Sequence, residues 1–207
     1  MHPFEESDVI ISADQQVPDD LVDELRQSLE RESARVLVER REPAMFAAME
    51  WVIPTLIVVI LTRKLFESFM AEAGKDLYAA TKKALSRTAR RTTGPSRETG
   101  AGYIVATVSP HKVSKSPPAV LSVFAQLRDG RRIRFTFTQD LHEDALEAAV
   151  DQLLELLADY YDDEGTVALT ATLATAVVFW GTVPVVFDPT TGRWRGLSEG
   201  DLRRRDG

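Results

Sequence analysis

The chain has 207 residues, a net charge of -7 and no cysteine. That length allows one large domain or two small ones, with roughly 70% of the unfolded surface available for burial. The acidic balance excludes a general nucleic-acid binder, which carries a basic footprint. The missing cysteines exclude disulfides, thiolate metal sites and a cysteine nucleophile.

Met1 to Asp8 is acidic and has no basic region leading into an apolar one. It does not read as a secretory signal, so the chain is expected in the cytoplasm, or at the inner face of a membrane. Val9-Ile10-Ile11 suits a strand. Pro18-Asp19-Asp20 opens a helix with proline and acid in its first turn, and Leu21, Val22, Leu25 and Leu29 share one face of it. Arg35 to Arg40 reads as a second strand. Residues 1–42 therefore form a small α/β unit.

Residues 43–90 are the most informative segment. Met45 to Thr62 is almost uncharged, and Leu65, Phe66, Phe69, Met70, Ala73, Leu77, Ala80, Ala84 and Leu85 follow at helical spacing. The segment reads as one long helix, apolar and then amphipathic. Gly74 interrupts it and marks a hinge or a close helix contact. Trp51 stands near one end of the apolar run and Arg63-Lys64 at the other, the flanks that interfacial anchors use. Trp51, Ile53, Leu56, Ile57, Ile60, Leu61, Phe66 and Phe69 are the candidate membrane or oligomer contacts. Arg63, Lys64, Lys82, Lys83, Arg87, Arg90 and Arg91 are the candidate contacts to lipid headgroups or a partner. The run contains Glu50 and falls short of the about 20 apolar residues of a spanning helix, so burial inside the protein competes with insertion.

Gly94-Pro95, Gly100 and Gly102 lie in a polar, basic stretch that reads as a linker, centred on 91–102. Residues 103–198 read as an α+β domain and 199–207 as a polar tail. Tyr103 to Val108 is a strand candidate. Val120 to Leu127 and Arg132 to Thr138 flank Asp129-Gly130, which signals a two-residue hairpin turn and sets Phe124 opposite Phe135. Asp140 to Tyr161 carries the stripe Leu146, Val150, Leu153, Leu154 and Leu157 of a helix. Thr166 to Phe187 has no charged residue and the length of a membrane span, but its threonines, its alternation, Gly181 and Pro184 favour buried strands, with a helical reading of Leu169, Leu173, Val177 and Trp180 in competition. Val185 to Phe187 and Arg193 to Leu197 flank a turn at Asp188-Pro189-Thr190-Thr191-Gly192.

The fold class that follows is α+β: a strand-helix-strand unit, a long central helix, and a C-terminal antiparallel sheet with one packed helix. No catalytic motif emerges. His2, His111 and His142 have no metal-ligand spacing, and Asp159, Asp162, Asp163 and Glu164 lack the pattern of a calcium loop. No metal or other cofactor is implied. The reading is a non-enzymatic protein that associates with a membrane surface or with itself through the 43–90 helix. The alternative is a soluble protein-binding or regulatory module in which that helix is buried core.

Overall fold

A computed structural model describes residues 6–15, 17–41, 55–70, 74–93, 119–137, 141–162, 166–174, 176–198 and 201. Among these, the strands form one mixed sheet of seven in the order β2-β1-β3-β4-β5-β6-β7. β1 (Val9–Asp14), α1 (Asp19–Glu30) and β2 (Val36–Arg41) make the expected strand-helix-strand unit, and its two strands pair in parallel. β3 (Thr55–Leu61) runs antiparallel to β1 and parallel to β4 (Ala119–Gln126). Between β3 and β4 in sequence come α2 (Arg63–Phe69) and α3 (Gly74–Thr93). β5 (Arg132–Phe137) forms a hairpin with β4, and β6 (Thr182–Asp188) lies parallel to β5. α4 (Glu143–Tyr161) and α5 (Thr166–Leu173) connect those two strands, and β7 (Arg193–Gly196) closes the second hairpin.

The α+β expectation holds, and the differences from the sequence reading have identifiable causes. Thr55–Leu61 is a strand rather than part of a helix. Ile57, Val59 and Leu61 face one side of the sheet and Val58 the other, and all four are buried. A strand covered on both faces is apolar at every position, so its period cannot be told from that of a buried helix. The run of β-branched Ile57, Val58, Val59 and Ile60 suits the pleat. α3 continues to Thr93, into the stretch expected as linker. Thr166–Leu173 is helical rather than strand. The C-terminal sheet is mixed, because β5 and β6 are parallel.

The β4–β5 register also differs. Leu127 and Arg131 are joined by an N–H···O bond of 2.7 Å, leaving three residues in the loop, with Gly130 at φ 85°. A three-residue loop ending in a left-handed glycine replaces the two-residue turn. The shift pairs Phe124 with Arg134 and Val123 with Phe135, which puts the two phenylalanines on opposite faces.

One core holds the fold together. α1 packs on α3, α3 on α4 and α4 on α5. Their apolar residues meet Val9, Ile11, Ile57, Val59, Leu121, Val123, Ile133, Phe135 and Phe187 of the sheet. Trp194 anchors the β7 side: its ring makes edge contacts with Phe135, Phe137 and Phe187, and its Nε1–H donates to the Ala149 carbonyl at 2.9 Å. Gly74 is a close contact. A Cβ there would lie 2.1 Å from the Phe69 carbonyl oxygen, so only glycine lets α3 start against the end of α2.

Candidate functional site

The sequence-derived contact residues divide by environment. Trp51 and Ile53 lie outside the described residues. Ile57, Leu61 and Phe66 are in the core, and Leu56 and Phe69 pack against it half-buried; Ile60 is also half-buried. Phe69 makes edge contacts with Phe66 and Tyr78, and Phe66 stacks on Tyr161 with centroids 4.8 Å apart. Among the described residues no helix is long and apolar enough to cross a membrane.

Several of the candidate basic residues tie α3 to its neighbours. Lys82 meets Asp151 at 2.7 Å, a pairing that raises the Lys82 pKa through the hydrogen bond. Arg90 reaches Glu143 at 3.0 Å and Glu147 at 2.8 Å. Arg91 grips Asp20 at 2.8 Å and Glu24 at 2.5 Å, and its hydrogen bond holds the Asp20 carboxyl below the ordinary range. Arg87 pairs with Glu24 at 2.6 Å. Lys83, Arg87 and Arg31 line a 480 Å³ cleft between α1 and α3, but Glu32 and Asp76 line it too. The opposing charges give that cleft no clear preference for one ligand charge. Arg63 pairs with Glu67 one helical turn on, at 2.8 Å.

A different group of residues stands out at the end of the sheet where β4 finishes and β5 and β6 begin. Phe179 and Thr182 exchange two backbone hydrogen bonds of 2.8 Å, leaving Trp180-Gly181 as a two-residue turn. Both central residues have positive φ, 45° at Trp180 and 74° at Gly181. That is the turn whose twist matches antiparallel strands, and its first position favours Asn, Asp or Gly. A bulky residue there is a conformational outlier. Trp180 is 75% exposed, and Val178, two residues before it, is 45% exposed. The Arg132 N–H donates to the Gly181 carbonyl at 2.7 Å and fixes this turn to β5.

The β4–β5 loop is its neighbour. The Arg128 N–H donates to Tyr160 Oη at 2.7 Å, and the guanidinium lies 5.3 Å from the Tyr160 ring centroid. Arg131 binds Asp129 at 2.6 Å, and that hydrogen bond lowers the Asp129 pKa and raises that of Arg131. Tyr161 Oη donates to the Gln126 carbonyl at 2.5 Å, and burial pushes its pKa up to about 12. Arg63 and Arg128 both act on Tyr161 through their charge, which places the start of α2 beside this loop. Arg132 is exposed and has no ion pair among the described residues. Met70, 60% exposed, follows α2.

Sequence reasoning read Arg128 to Arg131 as a turn and Trp180 as part of a buried run. The available signal was Phe-Trp-Gly-Thr, a glycine placed to make a tight turn directly before a β-branched strand. No group of three His, Asp or Glu among the described residues could hold a metal ion. His142 is exposed at the N-cap of α4. No family model matches the chain, and neither the curated proteins nor the solved structures contain a match. The fold and the exposed turns define the class instead: a one-sheet α+β protein that presents an aromatic and basic tip.

Proposed function

We propose that this protein is a non-catalytic docking module whose contact surface is the sheet end carrying Trp180, with Arg128, Arg131 and Arg132 around it. The observation that supports this most is the placement of Trp180. The residue is exposed and sits in a backbone conformation that tryptophan adopts at a cost of about 1–2 kcal/mol. Neither its packing nor its propensity accounts for its presence, whereas a contact partner does. Exposed tryptophan and arginine are the side chains that contribute most when an interface forms. Lys82, Arg87, Arg90 and Arg91 of α3 serve internal ion pairs, so we place the contact role expected for the 43–90 segment at this end of the molecule instead. Of that segment, Arg63 and Lys64 belong to the same end.

The test is photo-cross-linking in the producing cell, with benzoylphenylalanine replacing Trp180 in one sample and Glu155 in another. Glu155 is exposed on α4 and serves as the control. Adducts, to protein or to lipid, are expected at position 180 well above those at position 155. Equal yields at the two positions refute the reading.

A further inference from the structure

We propose that the partner at this surface is an anionic lipid headgroup layer, an inference that rests on the docking reading above. The size of the apolar contact decides between lipid and protein. Among the described residues, Trp180 and Val178 are the large exposed apolar side chains on this turn, and Met70, after α2, is the other on the described surface. A stable protein interface buries about 800 Å² on each side around a packed apolar centre. Two side chains at the end of a turn fall well short of that, and the same shortfall disfavours a second copy of the chain. A headgroup layer needs no matching pocket. It accepts a single indole at the boundary between acyl chain and water while basic side chains remain among the phosphates.

The surrounding charges fit this orientation. Arg128, Arg131 and Arg132 follow one another around the neighbouring loop, and Arg63 and Lys64 open α2 where β3 ends. The opposite end of the sheet holds acid and base together: Asp19 and Asp20 at the start of α1 meet Arg40 and Arg91, and Glu143 at the start of α4 meets Arg90. Within a molecule of net charge -7, what this end offers an anionic surface is the exposed pair Arg128 and Arg132 beside Trp180. Asp129 and Glu67 engage Arg131 and Arg63, and Asp162 closes α4 nearby. The local field is thus moderate, and Trp180 sets the affinity more than charge does.

The experiment is co-sedimentation of the full chain with phosphatidylcholine vesicles, with and without about 30% phosphatidylserine. The variants are Trp180→Asn, which suits the turn and preserves the fold, and Arg132→Glu. The full chain is expected to sediment with the anionic vesicles. Trp180→Asn lowers the partition about tenfold, and Arg132→Glu lowers it about fivefold and reduces its sensitivity to salt. Failure of the unaltered chain to bind anionic vesicles overturns the inference, as does equal binding by Trp180→Asn. If vesicle binding fails while position 180 still yields protein adducts in cells, the lipid assignment is lost and the docking reading stands. If adducts are also absent, both are lost.

Discussion

Replacing Trp180 with asparagine separates a residue kept for contact from one kept for stability. Two terms of opposite sign enter. Trp180 holds φ at 45°, and asparagine relieves most of the left-handed penalty of about 1–2 kcal/mol. Against this, Trp180 is 75% exposed, so about a quarter of its surface is covered. For a side chain of roughly 200 Å² that is about 50 Å², or about 1 kcal/mol of burial. The net change is between zero and a gain of about 1 kcal/mol, whereas truncating a fully packed tryptophan loses about 3–5 kcal/mol. Urea unfolding followed by far-UV circular dichroism measures it, because that signal does not depend on the tryptophan removed. A loss of 1 kcal/mol or more at an unchanged denaturant slope refutes the reasoning: Trp180 would then be a structural residue, and its exposure would carry no functional meaning.

Four further outcomes are expected. Gly74→Ala forces a Cβ to within 2.1 Å of the Phe69 carbonyl oxygen and 2.5 Å of that of Ser68. Backbone cannot swing aside, so the variant loses about 2–3 kcal/mol in the same unfolding assay. Asp8 is buried and accepts hydrogen bonds from the Arg35 backbone N–H at 2.8 Å and from its guanidinium at 3.0 and 3.2 Å. Asp8→Ala is expected to lose about 2 kcal/mol in thermal unfolding, chiefly by leaving those donors without their acceptor. Asp201 accepts from Arg195 at 2.8 Å and from the Ser198 backbone N–H at 2.9 Å, and these bonds, the Arg195 bond foremost, hold its pKa well below the ordinary carboxylate range. Its stabilising effect is full above about pH 4 and lost as pH falls below that, since the unfolded chain takes up the proton first. The difference in stability between the unaltered chain and Asp201→Asn should therefore be constant near neutrality and shrink in acid. Tyr161, pushed up to about 12, is predicted to stay protonated at pH 10, where an unperturbed tyrosine is half ionised, and an absorbance titration of Tyr161→Phe against the unaltered chain identifies it. Because its folded-state pKa is raised, its effect on stability is present below about pH 10 and fades as the pH climbs towards its folded value.

Much of the fold follows from local chemistry. Proline and acid at the start of α1, with Leu21, Val22, Leu25 and Leu29 on one stripe, specify that helix whatever surrounds it, and the stripe is the face that is buried. The apolar stripe of α4 and the turn at Asp188 to Gly192 work in the same way. The segment around β3 does not, because its environment rather than its period decides its state. Thr166–Leu173 fails for a related reason: a helix with apolar and threonine residues all around has no stripe to detect.

The site was less legible than the fold. A basic stretch in sequence gives no sign of which cations find carboxylates, and Lys82, Arg90 and Arg91 find theirs on α1 and α4. Composition and periodicity by themselves determined that this chain folds as α+β, that it opens with a strand-helix-strand unit, and that two hairpins lie in its second half. Only the tertiary structure decided that Thr55–Leu61 lies in the middle of a sheet, that Phe124 and Phe135 part to opposite faces, and that Trp180 is presented to solvent. The physical reason is range. Turn chemistry and amphipathic stripes act over a few residues, whereas two-sided burial, register and ion pairing depend on segments that meet only when the chain is folded.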